Sequence, residues 1–255
     1  MLLELKFYSD ELKKCTQAVV IIPRAREAAE DDHKILWLFH GLSDDQSIWT
    51  RRTSIERYAE EHQLVIVMPN VDRSWYANTA YGVNYFNYVT EELPRVCQRT
   101  IKGFNAKREN NIVGGLSMGG YGAIKIALSY PERYFACISL SGALDITRKE
   151  GYYSLCEWQS IFGFDIKSAD ELAGTKHDVF HLAKELHKSG KPFPKLYMWC
   201  GTEDSLLEPN RKFHDLLSSL GVKHKYEESE GDHSWIWWDK HIQPGMKYVQ
   251  TEDPV

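Results

Sequence analysis

No Cys-x-x-Cys pair, no run of basic residues and no apolar stretch near the ~20 residues of a membrane span occurs in this chain of 255 residues. Each absence removes a class of function. The five cysteines (Cys15, Cys97, Cys137, Cys156, Cys200) are an odd set without ligand spacing, which argues against a disulfide framework or a zinc ribbon. Cys137 and Cys200 lie in apolar runs and read as buried thiols. Lys and Arg number 31 against 36 Asp and Glu, a net charge of −5, so a phosphate-tracking surface and a nucleic-acid partner are not expected. The opening "MLLELKFYSD" is not expected to act as a signal peptide, because Glu4 and Lys6 interrupt any apolar region. Leu3, Leu5 and Phe7 alternate there with polar neighbours, the pattern of a half-buried strand. Internal repeats, low-complexity tracts and linkers are also missing. One domain over residues 1–255, soluble and cytoplasmic, is the expectation.

The apolar share of 43% is ordinary and supports a sizeable core. Strand-like runs fall at Leu2–Tyr8, Ala18–Pro23, Ile35–Phe39, Leu64–Met68, Asn111–Gly114, Ala136–Leu140, Lys195–Cys200 and His224–Glu228. From Ile35 onward they alternate with helical stretches at Thr53–Glu61, Tyr85–Thr100, Tyr121–Tyr130 and Asn210–Leu220. Alternation of this kind predicts an α/β fold with a mostly parallel sheet covered on both faces. The charged "RAREAAEDDHK" (Arg24–Lys34) reads as an exposed loop. Residues 144–194 break the rhythm with aromatic and polar residues, and an insertion so placed is expected to form a cap or pocket wall.

Chemistry concentrates in "NNIVGGLSMGGYGAIKIAL" (Asn110–Leu128), where an apolar strand runs into a helix through glycines crowded around Ser117. Gly115-Leu116-Ser117-Met118-Gly119 fits G-x-S-x-G, a string that composition alone produces in roughly one chain in ten of this length. Its context is more telling. A strand-to-helix elbow strains the serine backbone, demands small neighbours, and sets the hydroxyl beside helix N–H groups that favour negative charge. The pattern matches neither phosphate-loop glycine motif.

A serine hydroxyl needs a base. Of ten histidines, His233 in "EGDHSWIWW" follows the last strand-like run, where it could reach the elbow. His224, His214 and His241 are less well placed. Asp204 in "YMWCGTEDSLLEPN" follows the preceding strand, with Glu203 and Asp178 as competitors. The order Ser117, Asp204, His233 is that of an α/β-hydrolase. An oxyanion hole would draw on the N–H of Met118 and, from "HGL" after the strand Ile35–Phe39, that of Leu42.

Six blocks together resemble the tributyrin esterase group, kin of esterase D and S-formylglutathione hydrolases among the α/β-hydrolases. They are "HGLSDDQSIWTRRTSIERYAEE", "VTEELP", "GLSMGGYGAIKIAL", "SLSGALD", "CGTEDSLLEPN" and "GDHSWIWWDKHI", spanning about Leu3 to Ile242. The resemblance implies an α/β-hydrolase fold and a serine carboxylesterase for short acyl chains, some relatives cleaving feruloyl-type esters. It implies the catalytic set Ser117, Asp204 and His233, with Leu42 and Met118 as oxyanion donors. Two departures stand out. Ser205 occupies a position where an aromatic is expected, and Ser43-Asp44 replaces the Thr-Cys pair usual in S-formylglutathione hydrolases.

Trp75 and Tyr76 in "DRSWYANTAYG", and Trp235 beside His233, are candidate pocket residues, with packing as the competing role. Asp44 and Asp45 read as solvated turn residues. The rival chemistry is "HDVFH", where His177 and His181 stand at the spacing of a zinc helix. On a helical projection both point away from the stripe Val179, Leu182, Ala183 and Leu186, so a solvated face is expected instead and no metal. The expected partner is a small-molecule ester, with no cofactor and no membrane; a homo-oligomer stays open. An acyltransferase or thioesterase with the same residues, a zinc hydrolase and a non-catalytic binding protein are the alternatives.

Overall fold

The computed structural model describes residues 1–24, 33–105, 107–148 and 154–251. Most of the charged segment expected to be an exposed loop lies outside the described residues. Eight strands form one sheet: β1 (Leu2–Ser9), β2 (Lys14–Ile21), β3 (Lys34–Phe39), β4 (Leu64–Pro69), β5 (Asn111–Leu116), β6 (Ala136–Leu140), β7 (Lys195–Gly201) and β8 (His224–Ser229). Their spatial order is β1-β2-β4-β3-β5-β6-β7-β8. β2 runs antiparallel to β1 and β4, and the other pairs are parallel.

The burial of each strand follows from its residues. β1 alternates exposed and partly buried positions, as an edge strand with one wet face must. β4, β5 and β6 are buried at every residue. Their apolar runs serve both faces: in β3, Trp37 and Phe39 join one core while Leu36 and Leu38 join the other. The second strand begins at Lys14, earlier than its apolar run suggests. β1 fixes this limit by pairing Ser9 with Lys14 across a tight hairpin, so polar residues are carried into the ladder.

Helices α1 (Ile48–Arg52), α2 (Ile55–His62) and α9 (Trp235–Gln250) cover one face through Trp49, Tyr58, Trp238 and Ile242. The opposite face carries α3 (Tyr85–Asn87), α4 (Leu93–Thr100), α5 (Met118–Ser129), α6 (Leu155–Phe162), α7 (Val179–Ser189) and α8 (Leu207–Ser219). Between α3 and α4 the helix widens into one π turn, Tyr88–Glu92. Pro94 follows it and has no N–H for the carbonyl of Thr90. The guanidinium of Arg133 donates to that carbonyl instead. All five cysteines are free thiols, with Cys97, Cys137 and Cys200 buried. Among the described residues no helix is long and apolar enough to cross a membrane.

Candidate active site

β5 ends at Leu116 and α5 begins at Met118, so Ser117 alone makes the turn. Its φ of 53° and ψ of −119° are unfavourable for a residue with a side chain, a cost of roughly 1–3 kcal/mol. Neighbouring backbone offsets this. Ser117 N donates to the Leu140 carbonyl at 3.0 Å, and its own carbonyl accepts from Tyr121 N and Ala143 N, each at 3.0 Å. The end of β3 passes so close that a Cβ on Gly119 would stand 2.6 Å from the carbonyl oxygens of both Phe39 and His40. Glycine is required there by space.

His233 lies between β8 and α9, with Nε2 3.0 Å from Ser117 Oγ. Its Nδ1 is 2.9 and 3.1 Å from the two carboxylate oxygens of Asp204, in the turn after β7. An ionised carboxylate only accepts, so Nδ1 carries the proton and Nε2 is left to accept from the serine hydroxyl. Burial pushes the Asp204 carboxyl up. The hydrogen bond and charge of His233, with the Leu206 N–H and the Ser141 hydroxyl, outweigh that and hold it below its usual value.

The competing residues are occupied elsewhere. Glu203 accepts from Gly231 N at 2.7 Å, and Asp178 caps α7 by accepting from Phe180 N and His181 N. His214 and His224 meet each other at 2.7 Å, and His241 stacks on Trp199.

Ser117, His233 and Ser205 open into a cavity of about 420 Å³ at the carboxyl ends of the strands, where open α/β sheets bind ligands. Leu42 lines it from the loop after β3. Met118 N lies in the first turn of α5, where N–H groups have no partner within the helix. Outside helix and strand ladders, no backbone group among the described residues takes the N–H of Leu42 or Met118. His40 pins this loop: its Nδ1 bonds the Gly41 carbonyl at 2.7 Å and its Nε2 accepts from Val71 N at 3.0 Å. Burial lowers the His40 pKa, which keeps the ring neutral in that bridging role.

Trp235 lines the cavity together with Trp238, whereas Trp75 and Tyr76 do not. Both are buried, at 2% and 0% exposure, beneath the loop that carries them. The Tyr76 ring lies against Gly122, where a Cβ would come within 2.3 Å, and its hydroxyl donates to the His40 carbonyl at 3.0 Å. Tyr76 therefore supports the loop after β3 from below, while Trp75 packs on Tyr121 and Trp158. Asp45 is the turn residue expected, accepting from Ser47 N at 2.8 Å. Asp44 is not; it faces the cavity, and burial foremost raises its pKa.

His177 departs from the helical projection. α7 starts at Val179, so His177 precedes the helix and its direction is set by the chain entering it. It is buried at 6% exposure, against Phe162, with Nδ1 3.2 Å from Lys125 Nζ; His181 is half-buried. The two histidines do not share a face. Among the described residues no group of three or more His, Cys, Asp or Glu could hold a metal ion. The described part of segment 144–194 packs Trp158 on Trp75 and walls a second cavity through Lys176 and His177.

Two residues near the site have no role that the sequence pattern assigns. Ser141, at φ 47°, donates its N–H to the Trp199 carbonyl at 2.7 Å, and its Oγ accepts from Trp238 Nε1 at 3.1 Å. Trp238 sets its ring edge-on to His233, centroids 4.8 Å apart. No local pattern marks either one, since each acts through tertiary contact.

The strand order and the serine elbow together define an α/β-hydrolase. Within that class the chain belongs to the esterase family: the model described as "Putative esterase" matches residues 9–249. An acetyl esterase from Caldicellulosiruptor saccharolyticus is 30% identical, covering 97% of each chain. The structure of FphF, a fluorophosphonate-binding serine hydrolase from Staphylococcus aureus, superposes with a TM-score of 0.91 at 32% identity, covering 99% of each chain. That of the S-formylglutathione hydrolase FrmB from the same organism gives 0.86 at 33%, covering 98% of each. The protein is a carboxylic ester hydrolase.

Proposed function

We propose that the chain hydrolyses short-chain acyl esters by a two-step acyl transfer through Ser117. The observation that carries this reading is the unbroken path from Ser117 Oγ to His233 Nε2 at 3.0 Å and from His233 Nδ1 to Asp204 at 2.9 Å, open to a cavity. His233 takes the hydroxyl proton as Oγ attacks the ester carbonyl, and Asp204 stabilises the imidazolium that forms. The N–H groups of Leu42 and Met118 receive the oxyanion, a contribution of ~3–4 kcal/mol per donor in comparable sites. Collapse expels the alcohol, protonated by His233, and leaves an acyl-serine. Water, deprotonated by the same ring, then releases the acid.

Trp235 and Trp238 give the cavity an apolar wall suited to a small acyl group, and the resemblance to an acetyl esterase supports the same size class. The Asp44 carboxylate counts against the anionic glutathione thioester that the name of FrmB implies for that relative. Five free thiols fit a reducing, cytoplasmic setting.

The test is hydrolysis of p-nitrophenyl acetate, butyrate and decanoate, and of S-formylglutathione, by wild type and Ser117→Ala with and without EDTA. Activity on acetate and butyrate, falling at least about 10⁴-fold in Ser117→Ala and indifferent to EDTA, is expected. Activity that survives Ser117→Ala or dies with EDTA contradicts the reading. A preference for S-formylglutathione would replace the ester by a thioester.

A further inference from the structure

Lys125 lies two turns beyond Ser117 on α5, about 12 Å along the helix, and is buried at 3% exposure. A buried ammonium ordinarily requires a counter-charge, and among the described residues no carboxylate pairs with Lys125. Among the described residues no carboxylate lines the cavity of about 350 Å³ that it faces. Its Nζ donates to the Tyr76 carbonyl at 2.9 Å and to His177 Nδ1 at 3.2 Å, two neutral acceptors. An ammonium has three protons, which leaves one for a ligand. The rings of Phe86 and Tyr121 lie 5.4 and 5.6 Å from the cation and face it without neutralising it. Lys176 stands exposed on the lining of the same cavity and adds a second positive charge.

We propose that this cavity binds a small organic monoanion, a carboxylate on a flat apolar body, held by Lys125 inside and Lys176 outside. The apolar body is argued from the wall, where Phe86 and Tyr130 pair at 5.7 Å. The single charge is argued from the donors. The free Lys125 proton inside and the Lys176 ammonium outside match the two oxygens of a carboxylate, whereas a phosphate dianion would bring more oxygens and charge to the buried end than the one free Lys125 proton meets. Asn78, Asn87 and Ser129 complete the lining; the two asparagines are tied to each other at 2.8 Å and shape the cavity more than they donate, which leaves the Ser129 hydroxyl as a neutral donor. The catalytic cavity shares no lining residue with this one.

The titratable groups facing Lys125 Nζ are Tyr121 on its own helix and Lys176 and His177 from the segment before α7, with Tyr130 on the cavity lining. Burial first, and then the charge of Lys176, draw the Lys125 pKa down to about 7. An anion beside it favours the charged form, so binding above that pH takes up a proton.

Calorimetric titration of wild type, Lys176→Glu and Lys125→Met with benzoate and with inorganic phosphate, at about pH 8 in two buffers of different ionisation heat, tests this. Benzoate is expected to bind wild type with proton uptake, and at least tenfold more weakly to both variants. Lys176→Glu alters an exposed residue, so its result stands even where Lys125→Met fails to fold. Equal affinity in Lys176→Glu, binding without proton uptake, or no binding to wild type would overturn the proposal. Tighter binding of phosphate than of benzoate would overturn its choice of ligand.

Discussion

Asp204 and Ser141 show how single side chains set the behaviour of His233. The Asp204 carboxyl, buried and held below its usual value, is more acidic folded than unfolded. Its contribution to stability is therefore complete above the ordinary carboxylate range, near ~4, and is lost as pH falls through the lower folded value. Asp204→Asn should flatten that part of an acid-unfolding curve followed by tryptophan fluorescence. The same change reverses the hydrogen-bonding sense at His233 Nδ1, and kcat should fall by about 10⁴. Ser141→Ala removes the hydroxyl that accepts from Trp238 and helps to hold the Asp204 carboxyl down. Hydrogen bonds to charged groups contribute about 1.5–3 kcal/mol, so kcat should drop at least tenfold with KM little changed. A change confined to Tm would make Ser141 merely structural. Asp204 is legible in the sequence from its place after a strand-like run, whereas Ser141 is not, because it nears Asp204 only when β6 and β7 lie side by side.

The strand–elbow–helix unit of β5 and α5 was the most legible element. Its glycines announce backbone crowding before any coordinates do, and Gly119 meets that expectation at 2.6 Å from two carbonyl oxygens. Gly119→Ala should destabilise the fold by about 1–3 kcal/mol, read as a lowered Tm, because β3 has nowhere to move. The helix itself starts at Met118, three residues before its apolar periodicity becomes clear, since the elbow leads straight into it. The segment after β4 was less legible. Trp75 and Tyr76 look like pocket rings in sequence, and only the fold puts them underneath the loop. Tyr76→Phe deletes the bond to the His40 carbonyl and should cost about 1 kcal/mol in denaturant unfolding. A kcat loss larger than the KM change would show that this bond holds the Leu42 N–H in place. His177 was misplaced for a related reason: a helical projection presumes a helix, and α7 begins two residues later.

At the scale of the molecule, the eight apolar runs and their alternation with helices made the sheet and its two covered faces readable. The sheet edge that gathers Leu42, Ser117, Asp204 and His233 is readable too, since each follows a strand-like run. Pairing order and the second cavity were not, because both arise from contacts among segments distant in the chain. In the proposed reaction Ser117 attacks the ester and carries the acyl group. The most direct measurement is rapid acid quench of the enzyme with p-nitrophenyl acetate, followed by mass analysis of its peptides. One acetyl group on the peptide containing Ser117, absent in Ser117→Ala and formed before steady-state release of acetate, is the predicted result. Turnover with no acetyl on that peptide, or acetylation that persists in Ser117→Ala, would contradict the account.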